Sequence, residues 1–233
     1  MSTRIRGSDR VRWPCTLETS IMTNQAGIPM NTLLERLEKK HPNARYELDW
    51  TTPLELLVAT ILAAQCTDVR VNKVTKTLFP KYRTAREYAD ANTEELEEIL
   101  KPTGTYKQKA KSIQEACKMI VERHAGEVPK TMEELVALRG VARKTANVVL
   151  NNAWDIPSGI IVDTHVARVS QRMGLTKNDK PEVIEQDLMK IVPKEKWTKF
   201  GPAMVLHGRY TCTAKIAHCS ECPFANMCPK IGI

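Results

Sequence analysis

Four cysteines crowd into seventeen residues near the end of the chain, spaced Cys212-x6-Cys219-x2-Cys222-x5-Cys228. Thiols this close are reactive and costly to leave free, so the segment has to fold around something they bind. Zinc sites usually join two C-x2-C knuckles that lie far apart in sequence. One C-x2-C flanked by wider gaps suits a cubane iron–sulfur cluster held by a single short loop, with zinc as the alternative. The other three cysteines, Cys15, Cys66 and Cys117, are scattered and read as tail or core thiols. The opening MSTRIRGSDRVRW has no apolar stretch of the kind a secretory leader needs. A reducing, cytoplasmic compartment is therefore expected, as is metal binding rather than a disulfide framework.

The 233 residues carry 35 Lys and Arg against 27 Asp and Glu, a formal charge of +8. That excess points to a polyanion or simply to solubility. The longest apolar run, Leu56 to Thr67, is too short to span a bilayer, so no membrane partner is expected. Residues 1–29 lack sustained periodicity and read as a flexible basic tail. From there the pattern is helical. Thr52-Pro53-Leu54-Glu55 is a capping box with proline at the first helical position, followed by Leu54, Leu57, Val58, Ile61 and Leu62 at spacings of three and four. Asn92 with Glu95 starts another helix, Lys107 to His124 is a longer amphipathic one stopped by Gly126, and Thr131 with Glu134 is a second capping box. Helices are expected over 142–153, 164–173, 181–192 and 196–211, with an extended stretch from Pro157 to Val162. No segment alternates convincingly with period two, so the class is all-α.

Two short motifs carry chemistry. In LRGVARKTAN, a glycine turn joins two helices. Such a turn is an ordinary connector, yet it also aims free backbone N–H groups at whatever lies before the second helix, where phosphate binds well. Lys144 stands two residues into that helix, where the dipole, neighbouring Arg143 and partial burial would all disfavour an ammonium ion and free an amine for attack. Nineteen residues on comes Val162-Asp163-Thr164-His165. An Asp placed there is most often a helix N-cap, and it can also face a cationic centre. The basic residues Arg209, Lys215 and Lys230 flank the cysteine loop and can present charge to a phosphate backbone.

Taken in order, ELLVATILAAQCTDVRVNK, GEVP, GVARKTANVVLN, VDTH, LHGRYTC and the four-cysteine spacing make the chain similar to the endonuclease III family, DNA glycosylases of the helix-hairpin-helix superfamily, from about Asn31 to Cys228. The resemblance implies two helical domains with a DNA cleft between them: a six-helix barrel over 46–156 and a [4Fe–4S] cluster domain built from 30–45 and 157–233. It implies Lys144 and Asp163 as catalytic residues, and Cys212, Cys219, Cys222 and Cys228 as cluster ligands. DNA contacts would come from Gln65, Thr105, Arg139, Gly140, Val141, Ala142, Arg143 and His165. The partner would be double-stranded DNA containing damaged pyrimidines or abasic sites, met by a monomer that is nucleoid-associated if bacterial.

Three departures stand out from the family pattern. The family hairpin usually reads Leu-Pro-Gly-Val-Gly, where this chain has Leu138-Arg139-Gly140-Val141-Ala142. A Cβ at Ala142 would strain the turn by roughly 1 kcal/mol if its φ were positive, and Arg139 would offer a compensating phosphate contact. Thr105 stands where a leucine wedge is common, and the N-terminal tail is long. These departures keep a weakened or non-catalytic damage-binding paralogue as the alternative. An adenine glycosylase of the same superfamily would need a glutamate near Ile61 and would lack Lys144. A zinc-dependent DNA-binding module is the remaining competitor.

Overall fold

The computed structural model describes residues 27–233, and the expected tail falls almost wholly outside them, as does Cys15. The expected tail boundary at 29 is too late: Ile28 is fully buried in a hydrophobic core. Among the described residues there is no strand, and no helix is long and apolar enough to cross a membrane. Eleven α-helices carry the described fold.

Local chemistry sets most of the helix starts. Helix α2 (Pro53–Leu62) begins with the expected capping box: Thr52 Oγ1 accepts from Glu55 N–H at 3.2 Å, and Glu55 Oε2 accepts from Thr52 N–H at 3.3 Å. Each such cap is worth about 1 kcal/mol. Asn92 caps α5 (Thr93–Leu100) through Glu95 N–H. The box at Thr131 is only half formed ahead of α7 (Met132–Ala137). Thr131 Oγ1 accepts from Glu134 N–H, but the Glu134 carboxylate takes the Thr131 hydroxyl at 2.7 Å instead of a backbone N–H. Two helices have no counterpart in the sequence reading, α3 (Asp68–Lys81) and α4 (Ala85–Ala89). The second was announced by Thr84-x-x-Glu87, which forms a complete capping box. The first mixes polar and apolar residues so evenly that its buried face, Val71, Val74 and Leu78, is thin.

Two hydrophobic cores result. One gathers side chains from Leu48 to Leu150 and is built by α2 to α8, with α6 (Tyr106–Arg123) and α8 (Arg143–Trp154) among them. The other joins the two ends of the described chain: Ile28 to Leu37, around α1 (Met30–Lys40), with residues from Ile160 to Phe224 in α9 (Thr164–Arg172) and the segment before it, α10 (Pro181–Ile191), α11 (Trp197–Tyr210) and the loop beyond. The extended segment before α9 lies on the seam. Ile160 and Val162 enter the second core while Ile161 enters the first. Successive side chains of extended backbone point to opposite sides, so three residues pin two bodies together.

A buried polar network ties the seam beside it. Arg143 of α8 donates through Nε and Nη2 to both oxygens of Glu185 on α10, each at 3.0 Å, and Asn147 Nδ2 donates to Glu185 Oε1 at 2.9 Å. Gly159 is required beneath it, because a Cβ there would collide with Glu185 Oε1 and Asn147. Asn151 Nδ2 donates to the Gly159 carbonyl at 2.9 Å. Glu185 is nearly buried while Arg143 is partly solvated, so Glu185→Ala should cost about 2 kcal/mol, less than the loss of one partner from a fully buried pair. Calorimetry should then show a fall in Tm of roughly 4–8 °C, and an unchanged Tm would mean the network adds no stability.

Candidate active site

Residues from both cores line a cavity of about 380 Å³. Among them are Gln65, from the turn after α2, Lys144 in the first turn of α8, and Asp163 and His165 at the start of α9. A second depression of about 400 Å³ shares Lys144 and Asp163 and is lined also by Ala142, Arg143 and Glu185. Lys144 and Asp163 therefore both border the two hollows, although Asp163 lies nineteen positions further along the chain.

Asp163 does what an Asp at that position most often does. Its Oδ1 accepts from the N–H groups of His165 and Val166, each at 2.9 Å, and so caps α9. Both bonds use the same oxygen, so Oδ2 takes no hydrogen bond among the described residues. The N-cap and the cavity-facing carboxylate are one side chain with its two oxygens divided between the two tasks. Lys144 departs from expectation. It is exposed, not partly buried, and the charge of Arg143 beside it is taken up by Glu185. That pairing holds the Arg143 guanidinium above its usual range and commits its Nε and Nη2 donors to protein.

The hairpin between α7 and α8 turns on Gly140, whose φ is +76°. A Cβ there would meet Ser112 Cβ of α6 at 2.6 Å, so glycine serves both the left-handed backbone and the close approach. Val141 and Leu138 anchor the turn in the first core. Ala142 has φ −82° and ψ 166°, extended backbone that any residue adopts, so the expected strain at this position is absent. No side chain caps α8, which leaves its first-turn N–H groups facing outward for an anion. Arg139, expected at a phosphate, is exposed, and its Nε donates to Glu115 Oε2 at 2.9 Å. Arg209 bridges Glu47 and Asp68, the latter at 2.9 Å.

Gln65 and Thr105 share a feature that the sequence does not display. Both are non-glycine residues with left-handed backbone, at φ +53° and +41°, and both are exposed. Such positions cost of order 1–3 kcal/mol and persist where the fold or a task demands them. Thr105 lies at the start of α6 and does not line the cavity with the other candidates. Buried Lys109, on the first turn of α6, joins the loops that carry these two residues. Its ammonium donates to the Leu62 carbonyl at 2.8 Å and to the Thr103 carbonyl at 2.7 Å, and its burial lowers its pKa. Sequence reasoning overlooked Lys109, because one lysine among many on a polar-rich helix carries no signal.

Cys212, Cys219, Cys222 and Cys228 line one shared hollow, with Met173, Phe224 and other apolar neighbours. Among the described residues no three His, Cys, Asp or Glu side chains are placed to hold a single metal ion, although all four cysteines line the hollow. Arg172 Nη1 approaches Cys212 Sγ at 3.4 Å, and His207 Nε2 lies 3.6 Å from Cys222 Sγ. Burial pushes the Cys222 and Cys228 thiols up, and pushes His207 down to about 4, so that imidazole is neutral at ordinary pH. Cys66 lines the reaction cavity, and Cys117 is a core thiol pushed up to about 12 by burial.

Comparison with known proteins fits this arrangement. Residues 58–194 match the HhH-GPD superfamily of base excision DNA repair proteins. A protein named endonuclease III from Synechocystis sp. is 53% identical over 83% of this chain and 89% of its own length. The solved structure described as a trapped endonuclease III–DNA covalent intermediate is 46% identical, with a TM-score of 0.80 over 84% of this chain and 92% of that one. A non-covalent endonuclease III–DNA complex gives 45% and 0.81 over 86% and 94%.

The hairpin geometry sets an expectation for Gly140→Ala. The left-handed backbone and the contact with Ser112 together should cost about 2 kcal/mol of stability. Affinity for duplex DNA should fall with it, as the N-terminus of α8 shifts. Calorimetry and a binding titration read the two effects, and retained stability and affinity would show that the turn is not constrained.

Proposed function

Because the chain belongs to the HhH-GPD superfamily of base excision DNA repair proteins, and within it to the endonuclease III family, we propose that it acts as a DNA glycosylase and abasic-site lyase that removes oxidised or ring-saturated pyrimidines from double-stranded DNA. The observation that carries the reading is the meeting of Lys144 and Asp163 at one cavity between two cores, with Gln65 beside them. A damaged pyrimidine stacks poorly and is cheaper to extrude than an intact one. Gln65 fills the space the extruded base leaves. The free N–H groups at the start of α8 hold the backbone phosphate, and Thr105 enters the duplex from its own loop.

The chemistry follows from the two side chains. The Lys144 amine attacks C1′ of the sugar as the N-glycosidic bond breaks, and the base departs with the bonding electrons and takes a proton from solvent. Asp163 Oδ2, the oxygen not used in capping, stabilises the positive charge that develops on the sugar and accepts a proton from the lysine nitrogen. The sugar ring opens to a Schiff base on Lys144. Loss of the C2′ proton then expels the 3′ phosphate by β-elimination, cutting the strand 3′ to the lesion. The exposure of Lys144 suits this reading, since DNA itself would close the cavity over the amine.

Cys212, Cys219, Cys222 and Cys228 suit a [4Fe–4S] cluster. All four cysteines line one hollow, their single C-x2-C with wider flanking gaps suits a cubane held by one short loop, and the Arg172 N–H group reaching Cys212 Sγ resembles the donors that usually surround cluster sulfurs. When bound, the cluster supplies a rigid, redox-capable cross-link for the last loop of the chain. A monomer is sufficient, because both cores and both reacting groups lie in one chain.

Borohydride trapping tests the nucleophile. Wild-type protein with abasic duplex DNA should give a covalent adduct, and Lys144→Ala should reduce it at least a thousandfold while the protein still binds DNA. Undiminished trapping in that variant would place the nucleophile elsewhere. The metal group has its own test. Purified protein should be brown, with broad visible absorbance and about four irons per chain, and Cys219→Ser should lose both. Colourless protein with stoichiometric zinc would reject the cluster.

A further inference from the structure

The reaction cavity is lined by one tyrosine whose hydroxyl the fold leaves without a partner among the described residues. Tyr46 lies between α1 and α2, and its ring packs against the first core. Its hydroxyl oxygen is enclosed and has no hydrogen-bond partner among the described residues. A buried hydroxyl without a partner is destabilising, and phenylalanine would fill the same ring site without that cost. The hydroxyl is therefore available to pair with a group that enters beside it. Its position says which. Tyr46 lines the same cavity as Lys144, Asp163 and Gln65. The backbone of α11 closes in beside it, where a Cβ added at Gly201 would come within 3.4 Å of the hydroxyl. Burial, then the carboxylates of Asp163 and Asp68, push the phenol well above its ordinary value, so it remains a neutral donor. A neutral phenol donates as well to an uncharged carbonyl as to an anion, and Arg209 already pairs with Asp68 beside it.

We propose that Tyr46 is a specificity-determining contact whose hydroxyl donates a hydrogen bond to a carbonyl oxygen on the edge of an extruded damaged pyrimidine. The proposal rests on the glycosylase reading above. It assigns the recognition of the base to a different residue from those that attack the sugar or hold the phosphate. An abasic site has no such carbonyl, so the hydroxyl matters more when a base is present.

Single-turnover assays on the full chain as purified separate the cases. One duplex carries a ring-saturated uracil and the other a preformed abasic site. In Tyr46→Phe, excision of the base should fall about ten-fold further than cleavage of the abasic site, with Tm equal to or above that of wild type. Equal changes on the two substrates, or no change on either, would overturn the contact. A lowered Tm would also overturn it, by showing that the hydroxyl has an internal partner. If wild-type protein excises no damaged base at all, the glycosylase reading itself fails. If it excises normally and only the ratio is unmoved, the contact alone fails.

Discussion

The alternation of Ile160, Ile161 and Val162 between two cores is the constraint on which the site depends. Each core is stable only if its apolar side chains leave water, and a three-residue extended segment serves both at once because its side chains must point in opposite directions. Asp163 follows directly, so its carboxylate emerges where the two bodies meet. Lys144 comes from the first core, at the start of a helix whose own apolar face is buried. Two groups that a linear chain keeps apart are brought together because each terminates an element whose position is already set by burial.

Charge at the seam is arranged differently from what a count of basic residues suggests. Arg139, Arg143 and Arg209 each have a carboxylate partner within the protein. Two of these pairs flank the cavity: Arg143 with Glu185 joins α8 to α10, and Arg209 joins α11 to Asp68 at the start of α3. Their first effect is to hold the two halves in register. The hairpin also offers a phosphate its backbone: uncapped N–H groups on α8, presented by a turn that glycine at 140 permits. A fixed dipole of this kind needs no side-chain ordering on binding.

Much of this was legible in advance, because the relevant signals are local. Thr52 with Glu55 and Asn92 with Glu95 announce helix starts through hydrogen bonds three residues apart, and the hairpin, the VDTH segment and the cysteine spacing are contiguous in sequence. What could not be seen depended on distant partners. Glu115 and Glu185, which pair with Arg139 and Arg143, are remote from them in the chain. Ala142 looked strained because its backbone angle is set by the turn it completes. Helix α4 was overlooked despite a complete capping box, and Ile28 was assigned to the tail because a lone isoleucine shows no periodicity.

By itself the sequence determined that the chain is helical, where most helices begin, that four thiols share one loop, and which lysine and aspartate belong to the family pattern. These follow from hydrogen bonds and spacings within a few residues. Only the tertiary structure decided that Asp163 divides its two oxygens between a helix cap and the cavity, that Gln65 and Thr105 hold left-handed backbone, and that the Tyr46 hydroxyl is enclosed beside Lys144 without a partner. Burial and the loss of hydrogen-bond partners depend on what packs against a residue from elsewhere in the chain, and no local pattern records that.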